Sequence, residues 1–291
     1  MIAVKKRYRP IPTGLASANA KTKKKQLMRE GNAHTASNAY YAHDTVKTAL
    51  YRQYHNKCCY CEQRITEPAD RRMEHFRPKK AQTLSDQHPG YFWLTYEWHN
   101  LLLACNTCNI KKSNHFPVAG SRVTKPPASK PDWQPQSAIM RREQALLLNP
   151  ETDDPTLHLE FTPEGKIHAI AGSEQGRATI RICNLDRESL TLEGRKRLVD
   201  GFREALEEQA LILLDQVALY STPEAFHAAL ELGFKSIVEG IKASMQPNQP
   251  FSRVGWHINQ DPETFILAGI PDGEHKKIVR MACKRLGLMS G

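Results

Sequence analysis

The sequence predicts an α+β protein in two parts: a basic, cysteine-stapled module, then a mainly α-helical region carrying one β-hairpin. Three observations lead there. Two Cys-x-x-Cys pairs, Cys58/Cys61 and Cys105/Cys108, bracket a Glu-His dipeptide and an apolar run. Charge is segregated: residues 1–130 hold 23 Lys and Arg against 8 Asp and Glu, while residues 131–291 hold 18 against 23. Beyond residue 185, apolar side chains recur at the three- and four-residue spacing of amphipathic helices.

Residues 1–36 read as a basic N-terminal arm. The run Lys21-Thr22-Lys23-Lys24-Lys25 sits among Ala, Ser and Asn, and fits a solvated tail, an exposed helix face or a DNA-gripping segment equally well. From Ser37, a plausible N-cap, Val46, Ala49, Leu50 and Tyr54 recur at helical spacing and deliver the chain to the first Cys pair. The module is expected to span 37–120. Pro126, Pro127, Pro131 and Pro135 then mark 121–136 as an extended, Pro-rich connection that could strap across a surface. Residues 137–291 follow as the mainly helical part. Leu157, Leu159 and Phe161 alternate, Thr162-Pro163-Glu164-Gly165 turns, and Lys166–Ile170 returns, which is a hairpin signal. The strongest helix is expected over 189–220, on Leu198, Val199, Phe202, Leu206, Leu213, Leu214 and Val217. A second starts at Thr222-Pro223 and runs to about Ser244, and a last one covers about 273–287, stopped by Gly287.

No run of eighteen apolar residues occurs, so no membrane span is expected, and nothing of signal-peptide length follows the first basic residues. A cytoplasmic location is expected. Seven cysteines, four of them in Cys-x-x-Cys pairs, then read as metal ligation plus buried thiols rather than a disulfide framework.

Two Cys-x-x-Cys turns can supply four thiolates to one tetrahedral zinc. A redox role would call for a thioredoxin-like βαβ pattern, which the sequence lacks. The gap between the pairs is too long for a simple finger and must be a structured insertion. It contains Arg72-Met73-Glu74-His75-Phe76-Arg77-Pro78-Lys79. The Glu74 carboxylate is a hard oxygen ligand suited to magnesium or manganese. A neutral His75 imidazole can take a proton from water. On an extended strand the two would point to opposite faces, so a twist or bulge is expected to bring them to one phosphate. Asn100 precedes the apolar run Leu101–Ala104, where its amide could fix the loop that presents His75. If a helix starts at the second Cys pair, Asn109 and Lys112 share a face; Asn109 could offer a metal an amide oxygen, with His115 as a rival ligand. Arg77, Lys79, Lys111 and Lys112 are the candidate phosphate contacts.

In this combination the segment resembles the HNH endonuclease domain, the ββα-metal fold, in its four-Cys zinc form. Glu74 stands where that family usually has Asp, and Asn109 where it has His. The resemblance implies His75 as general base, Glu74 and Asn109 as ligands of a catalytic divalent ion, and Asn100 as organiser of the base loop. A wider likeness joins Cys-Cys-Tyr-Cys-Glu, Glu-His-Phe-Arg-Pro-Lys, Tyr-Glu-Trp-His-Asn-Leu-Leu-Leu-Ala-Cys, Phe116-Pro117, Leu148-Asn149-Pro150 with Asp153-Asp154-Pro155, and Ile182-Cys183-Asn184-Leu185. It is similar to the PtuB-type HNH subunit of Septu antiphage systems, which also accompany some retrons. That likeness implies an ABC/SMC-like ATPase partner and defence by cutting nucleic acid.

The function expected from the sequence is therefore metal-dependent hydrolysis of nucleic-acid phosphodiesters, with DNA the favoured substrate. A non-catalytic, zinc-dependent nucleic-acid-binding module is the alternative; it would share the zinc and the charge and differ only at Glu74, His75 and Asn109. The acidic helical half suits a protein partner better than DNA.

Overall fold

In the computed structural model, which describes residues 1–81 and 88–290, the chain forms two compact units. The first comprises Met1–Glu160 and His168–Leu185, and the second Phe161–Ile167 and Asp186–Gly291. These limits do not follow the expected boundaries at 36, 120 and 136. The physical reason lies in how the flanking segments are fastened.

Residues 1–36 are folded into the first unit rather than hanging from it. The Lys6 ammonium is buried, donates to the carbonyls of Trp98 and Leu101 at 2.6 Å each, and pairs with Glu151 at 3.1 Å. Helices α1 (Thr13–Ala16) and α2 (Ala18–Glu30) follow, α2 capped by the Ser17 side chain on the Ala20 N–H. The lysine run lies on α2, which buries only Ala20 and Leu27. The helix expected from Ser37 is broken into α3 (Asn38–Tyr41) and α4 (Asp44–Gln53), because the His43 side chain accepts from Thr45 N–H and starts a new helix there. The Pro-rich strap is also tied down. The Gly120 N–H donates to the Glu143 carbonyl at 2.9 Å, and the Val123 N–H to the Glu143 carboxylate at 3.0 Å.

Strands β1 (Arg71–His75) and β2 (Leu101–Cys105) pair antiparallel in unbroken register, with His75 opposite Leu101 and Arg71 opposite Cys105. Every residue of β2 is buried, as its uninterrupted apolar run requires. Helix α5 (Asn106–Lys112) begins directly after β2, its first turn capped by Cys105 Sγ accepting from the Cys108 N–H. Strand, strand and helix form a ββα unit that buries Cys108 and Lys112 on the inner face of α5. Helix α6 (Ala138–Arg141) follows the strap, and α7 (Glu174–Cys183) closes the first unit against α5.

The expected hairpin forms as β3 (Leu159–Phe161) and β4 (Ile167–Ala169). The second unit is helical: α8 (Glu188–Leu190), α9 (Arg197–Asp215), α10 (Pro223–Ser244), α11 (Ser252–Gln260), α12 (Pro262–Phe265) and α13 (Glu274–Arg285). The single helix expected over 189–220 is interrupted. A π-helical stretch at Thr191–Lys196 separates α8 from α9 and turns Arg195 inward, where its guanidinium lies 5.1 Å over the Phe161 ring. Gly165, at φ +76°, lies so close that an added Cβ would stand 2.3 Å from the Thr191 carbonyl oxygen. The far end also differs: Val217, expected on the apolar face, is exposed in a short 3₁₀ turn past α9. The expected helices ending near Ser244 and near Gly287 are present as α10 and α13.

Candidate functional site

The four paired cysteines come together. Sγ atoms of Cys58, Cys61, Cys105 and Cys108 all lie within 4.8 Å of one another, and all four residues are buried. Cys61 and Cys105 stand 3.9 Å apart, close to the ~3.8 Å edge of a tetrahedron of sulfurs around one zinc. Burial pushes the Cys58 thiol well above its ordinary pKa, so four such groups without a cation would stay protonated in a cramped space. A bound cation reverses that preference, and the donor set suits a structural metal. Cys59, between the first pair, instead fixes the backbone: its N–H donates to the Leu103 carbonyl at 2.8 Å.

The cluster joins residue 58 to residue 108 and so sets β1 beside α5. Glu74 and His75 then emerge on opposite sides of β1, as strand geometry dictates. Glu74 faces α5. Its carboxylate pairs with the buried Lys112 ammonium at 2.5 Å and accepts a short hydrogen bond from the Asn109 amide. Burial raises the Glu74 pKa, while Lys112 and Asn109 pull it back. His75 faces the other way, with its ring edge-on to Tyr41 at 4.9 Å. Its Nε2–H donates to the Thr95 carbonyl at 2.9 Å. A carbonyl only accepts, so the neutral ring carries its proton on Nε2 and leaves Nδ1 as the basic nitrogen. Burial, reinforced by the nearby Lys79 ammonium, depresses the His75 pKa well below the ordinary histidine range. The ladder is regular and carries no bulge, so the expected distortion is absent and the two side chains stay on opposite faces. Glu74, His75 and Asn109 are nevertheless all among the residues lining one groove of about 730 Å³.

Asn100 acts on the backbone that follows His75. Its Oδ1 accepts from the Arg77 N–H at 2.9 Å, and its Nδ2 donates to the carbonyls of Arg77 and Leu94. The segment after His75 is thereby clasped to the turn before β2.

The expected phosphate contacts divide. Lys111 is exposed on α5, and the half-buried Lys79 lines the groove with its ammonium 4.9 Å over the Tyr41 ring. Lys112 and Arg77 are not placed for phosphate. Lys112 is fully buried on Glu74 and on the His75 carbonyl at 2.9 Å. Arg77 is buried, with Nε 2.7 Å from the Glu143 carboxylate. His115 is not among the residues lining the groove. Sequence reasoning missed Asn38, Tyr41, Lys47, Arg71 and Arg72, which do line it. The Arg pair beside Glu74 was a visible signal; Tyr41 and Lys47 reach the groove only through tertiary packing of α3 and α4.

The chain has recognisable relatives. It is 38% identical over 162 residues to Septu protein PtuB of Bacillus mycoides (strain KBAB4), covering 54% of this chain and 52% of that protein. It is 33% identical over 152 residues to Septu protein PtuB of Bacillus thuringiensis, covering 52% and 44% respectively. A third relative, Septu protein PtuA of Bacillus mycoides (strain KBAB4), is 32% identical over 167 residues, 56% of this chain and 22% of that protein. The chain is thus homologous to PtuB proteins over about half its length, and it spans about half the length of those relatives. No protein-family profile matches it.

Proposed function

We propose that this protein is a metal-dependent HNH-type endonuclease acting as the nucleic-acid-cutting component of an antiphage defence system. The observation that carries the reading is that Glu74, His75 and Asn109 line one groove on a ββα unit whose two ends hold a buried four-cysteine cluster.

Two ions are implied. Zinc on Cys58, Cys61, Cys105 and Cys108 would be structural, closing the knuckles that hold β1 against α5. Magnesium or manganese would be held by Glu74 and Asn109, whose side chains already touch at the groove. Among the described residues, the cysteine cluster alone brings three or more His, Cys, Asp or Glu ligand atoms together. Carboxylate and amide would therefore leave most of the shell to water and phosphate oxygens, the coordination habit of magnesium. When bound, such an ion supplies charge stabilisation for the phosphoryl oxygens and the leaving oxygen.

The chain's own residues do the rest. His75 Nδ1 takes a proton from water, and the oxygen attacks phosphorus in line as the opposite P–O bond breaks. The Thr95 carbonyl holds the ring tautomer, and Asn100 fixes the loop behind it. Lys79, Arg71 and Arg72 line the path of the backbone, which predicts little intrinsic sequence preference. The homology to PtuB and PtuA supports a defence role and a protein partner; the ATPase class of that partner is proposed on the motif resemblance alone, and residues 131–291, with 23 acidic against 18 basic side chains, suit a protein better than DNA.

The test is cleavage of plasmid, single-stranded DNA and tRNA by the purified chain, with and without manganese and with co-purified partner. His75→Ala is expected to reduce the rate about 10²–10⁴-fold with fold and binding intact. Wild-type cleavage by that variant would move the base elsewhere. Salt-sensitive binding without cleavage under any condition would select the non-catalytic binding module, which the closed Glu74–Lys112–Asn109 cluster also suits.

A further inference from the structure

Beside the candidate base stands a phenol that holds nothing. Tyr41, the last residue of α3, is half-buried and lines the same groove as Glu74 and His75. Its ring stands edge-on to the His75 imidazole at 4.9 Å, and the Lys79 ammonium lies 4.9 Å over its face. Among the described residues its hydroxyl makes no hydrogen bond. Burial raises the pKa of the phenol, so it keeps its proton at neutral pH and remains a donor. The ring is held from behind. Helix α3 starts after Ser37, whose N–H donates to the Tyr96 hydroxyl at 2.8 Å. That hydroxyl also meets His34 Nε2 at 3.2 Å, and His34 Nδ1 donates to the Glu30 carboxylate at 2.6 Å. The buried Tyr96 ring packs on Tyr40 at 5.9 Å and on Tyr41 at 6.4 Å. Tyr96 itself follows Thr95, whose carbonyl holds His75. Phenol and imidazole are thus fastened to one stretch of backbone, and their spacing is set before any substrate arrives.

A ring needed only for packing would be served as well by Phe, so the hydroxyl is surplus to the fold. What surrounds it gives it a use. Lys79 brings an ammonium to the same wall, and both side chains line the groove beside the base. An ammonium and a neutral O–H donor side by side suit the two non-bridging oxygens of a phosphodiester, one apiece. We infer, on the nuclease reading of this site, that the Tyr41 hydroxyl donates a hydrogen bond to a non-bridging oxygen of the scissile phosphodiester and is a catalytic residue. Charge on that oxygen grows as water attacks phosphorus. The bond therefore strengthens toward the transition state and acts on kcat more than on binding. The phenol moves no proton: His75 takes one from water, and Tyr41 keeps its own.

The test is cleavage by the full chain, in manganese and with co-purified partner, of a short DNA duplex, a DNA single strand and an RNA hairpin. Tyr41→Phe keeps the ring against His75, Tyr96 and Lys79 and removes one oxygen. Its kcat is expected to fall about 10²-fold, with KM and the thermal melt nearly unchanged. A second measurement separates a bond to phosphate from a change in packing. The cleaved substrate is made with one phosphorothioate at a cut position, as each diastereomer in turn, so that sulfur, a poor acceptor, replaces one non-bridging oxygen at a time. The wild type should cleave one diastereomer about tenfold or more slowly than the other, and Tyr41→Phe should lose most of that difference. Wild-type kcat in Tyr41→Phe, while His75→Ala is inactive, overturns the role of Tyr41 and leaves the nuclease reading standing. So does the same diastereomer ratio in both proteins, which marks a phenol that only packs. No cleavage of any of the three substrates by the wild type overturns both.

Discussion

Lys112 is the residue whose position most alters the chemistry of the site. A lysine three residues after Asn109 looks like a surface phosphate contact, yet its ammonium is closed in by the Glu74 carboxylate and the His75 carbonyl. It neutralises a carboxylate that burial would otherwise force to protonate. Lys112→Met should therefore cost about 3–5 kcal/mol of stability, since Glu74 is left buried and uncompensated. Manganese should restore part of that loss by supplying the missing positive charge. Urea unfolding of both proteins with and without the ion checks this; equal stability would mean that Glu74 is neutral in the native fold. His99 offers a separate pH handle. Burial, helped by the Lys6 ammonium, lowers its pKa to about 3. The folded state thus refuses a proton that the unfolded chain binds below about pH 6.5. Stability is complete above that pH and declines as pH falls from about 6.5 toward about 3, by up to ~1.4 kcal/mol per unit. His99→Gln should flatten that decline in denaturant titrations at pH 7 and 4.5. An unchanged slope would show that His99 is protonated in place.

At the scale of elements, the ββα unit depends on the cysteine knuckles. β1 and β2 are five residues each, and a two-stranded ribbon is marginal without support. A structural metal contributes its binding energy directly to folding. The isolated protein should hold one zinc per chain, and Cys105→Ser should lose it together with the fold of the first unit. Elemental analysis and circular dichroism decide this; a well-folded, metal-free variant would refute it. How much of this was legible in the sequence follows the range of the interactions. The knuckles, the buried apolar run Leu101–Ala104 and the Asn109–Lys112 face are local patterns, so the sequence reveals them, although not that the run is a strand. The Thr95 carbonyl that fixes the His75 tautomer lies 20 residues away, and the Glu143 partner of Arg77 lies 66 away. No periodicity encodes such pairs. Exposed Lys111 and buried Lys112 are identical letters until α5 is rotated against β1. The π stretch before α9 was invisible for the same reason, because Arg195 is drawn inward by Phe161 from another part of the chain.

For the molecule as a whole, the segregated charge makes an ionic prediction. If the basic first unit holds nucleic acid, affinity should fall steeply with salt. Lys111→Gln should weaken binding for all sequences alike and reduce the salt slope by about one. Arg77→Gln should instead lower stability, because that side chain pairs with buried Glu143. Filter binding across a salt series separates the two; a flat salt response would place binding elsewhere. The second unit carries exposed Leu219 and Leu232, each nearly four-fifths accessible, which is where a protein partner of the acidic region would be sought first.

The two cysteine knuckles also have a topological effect. With a metal between them, the backbone from Cys58 to Cys108 becomes a closed ring, and Glu74, His75 and Asn100 all lie on its circumference. A single scission inside that ring would not separate the pieces. Both ends would remain tied through the metal and through the β1–β2 ladder, so a nicked chain would migrate as one particle until a chelator opened the clasp. The candidate catalytic residues are carried on a hoop, which tolerates one break where a linear strand would not.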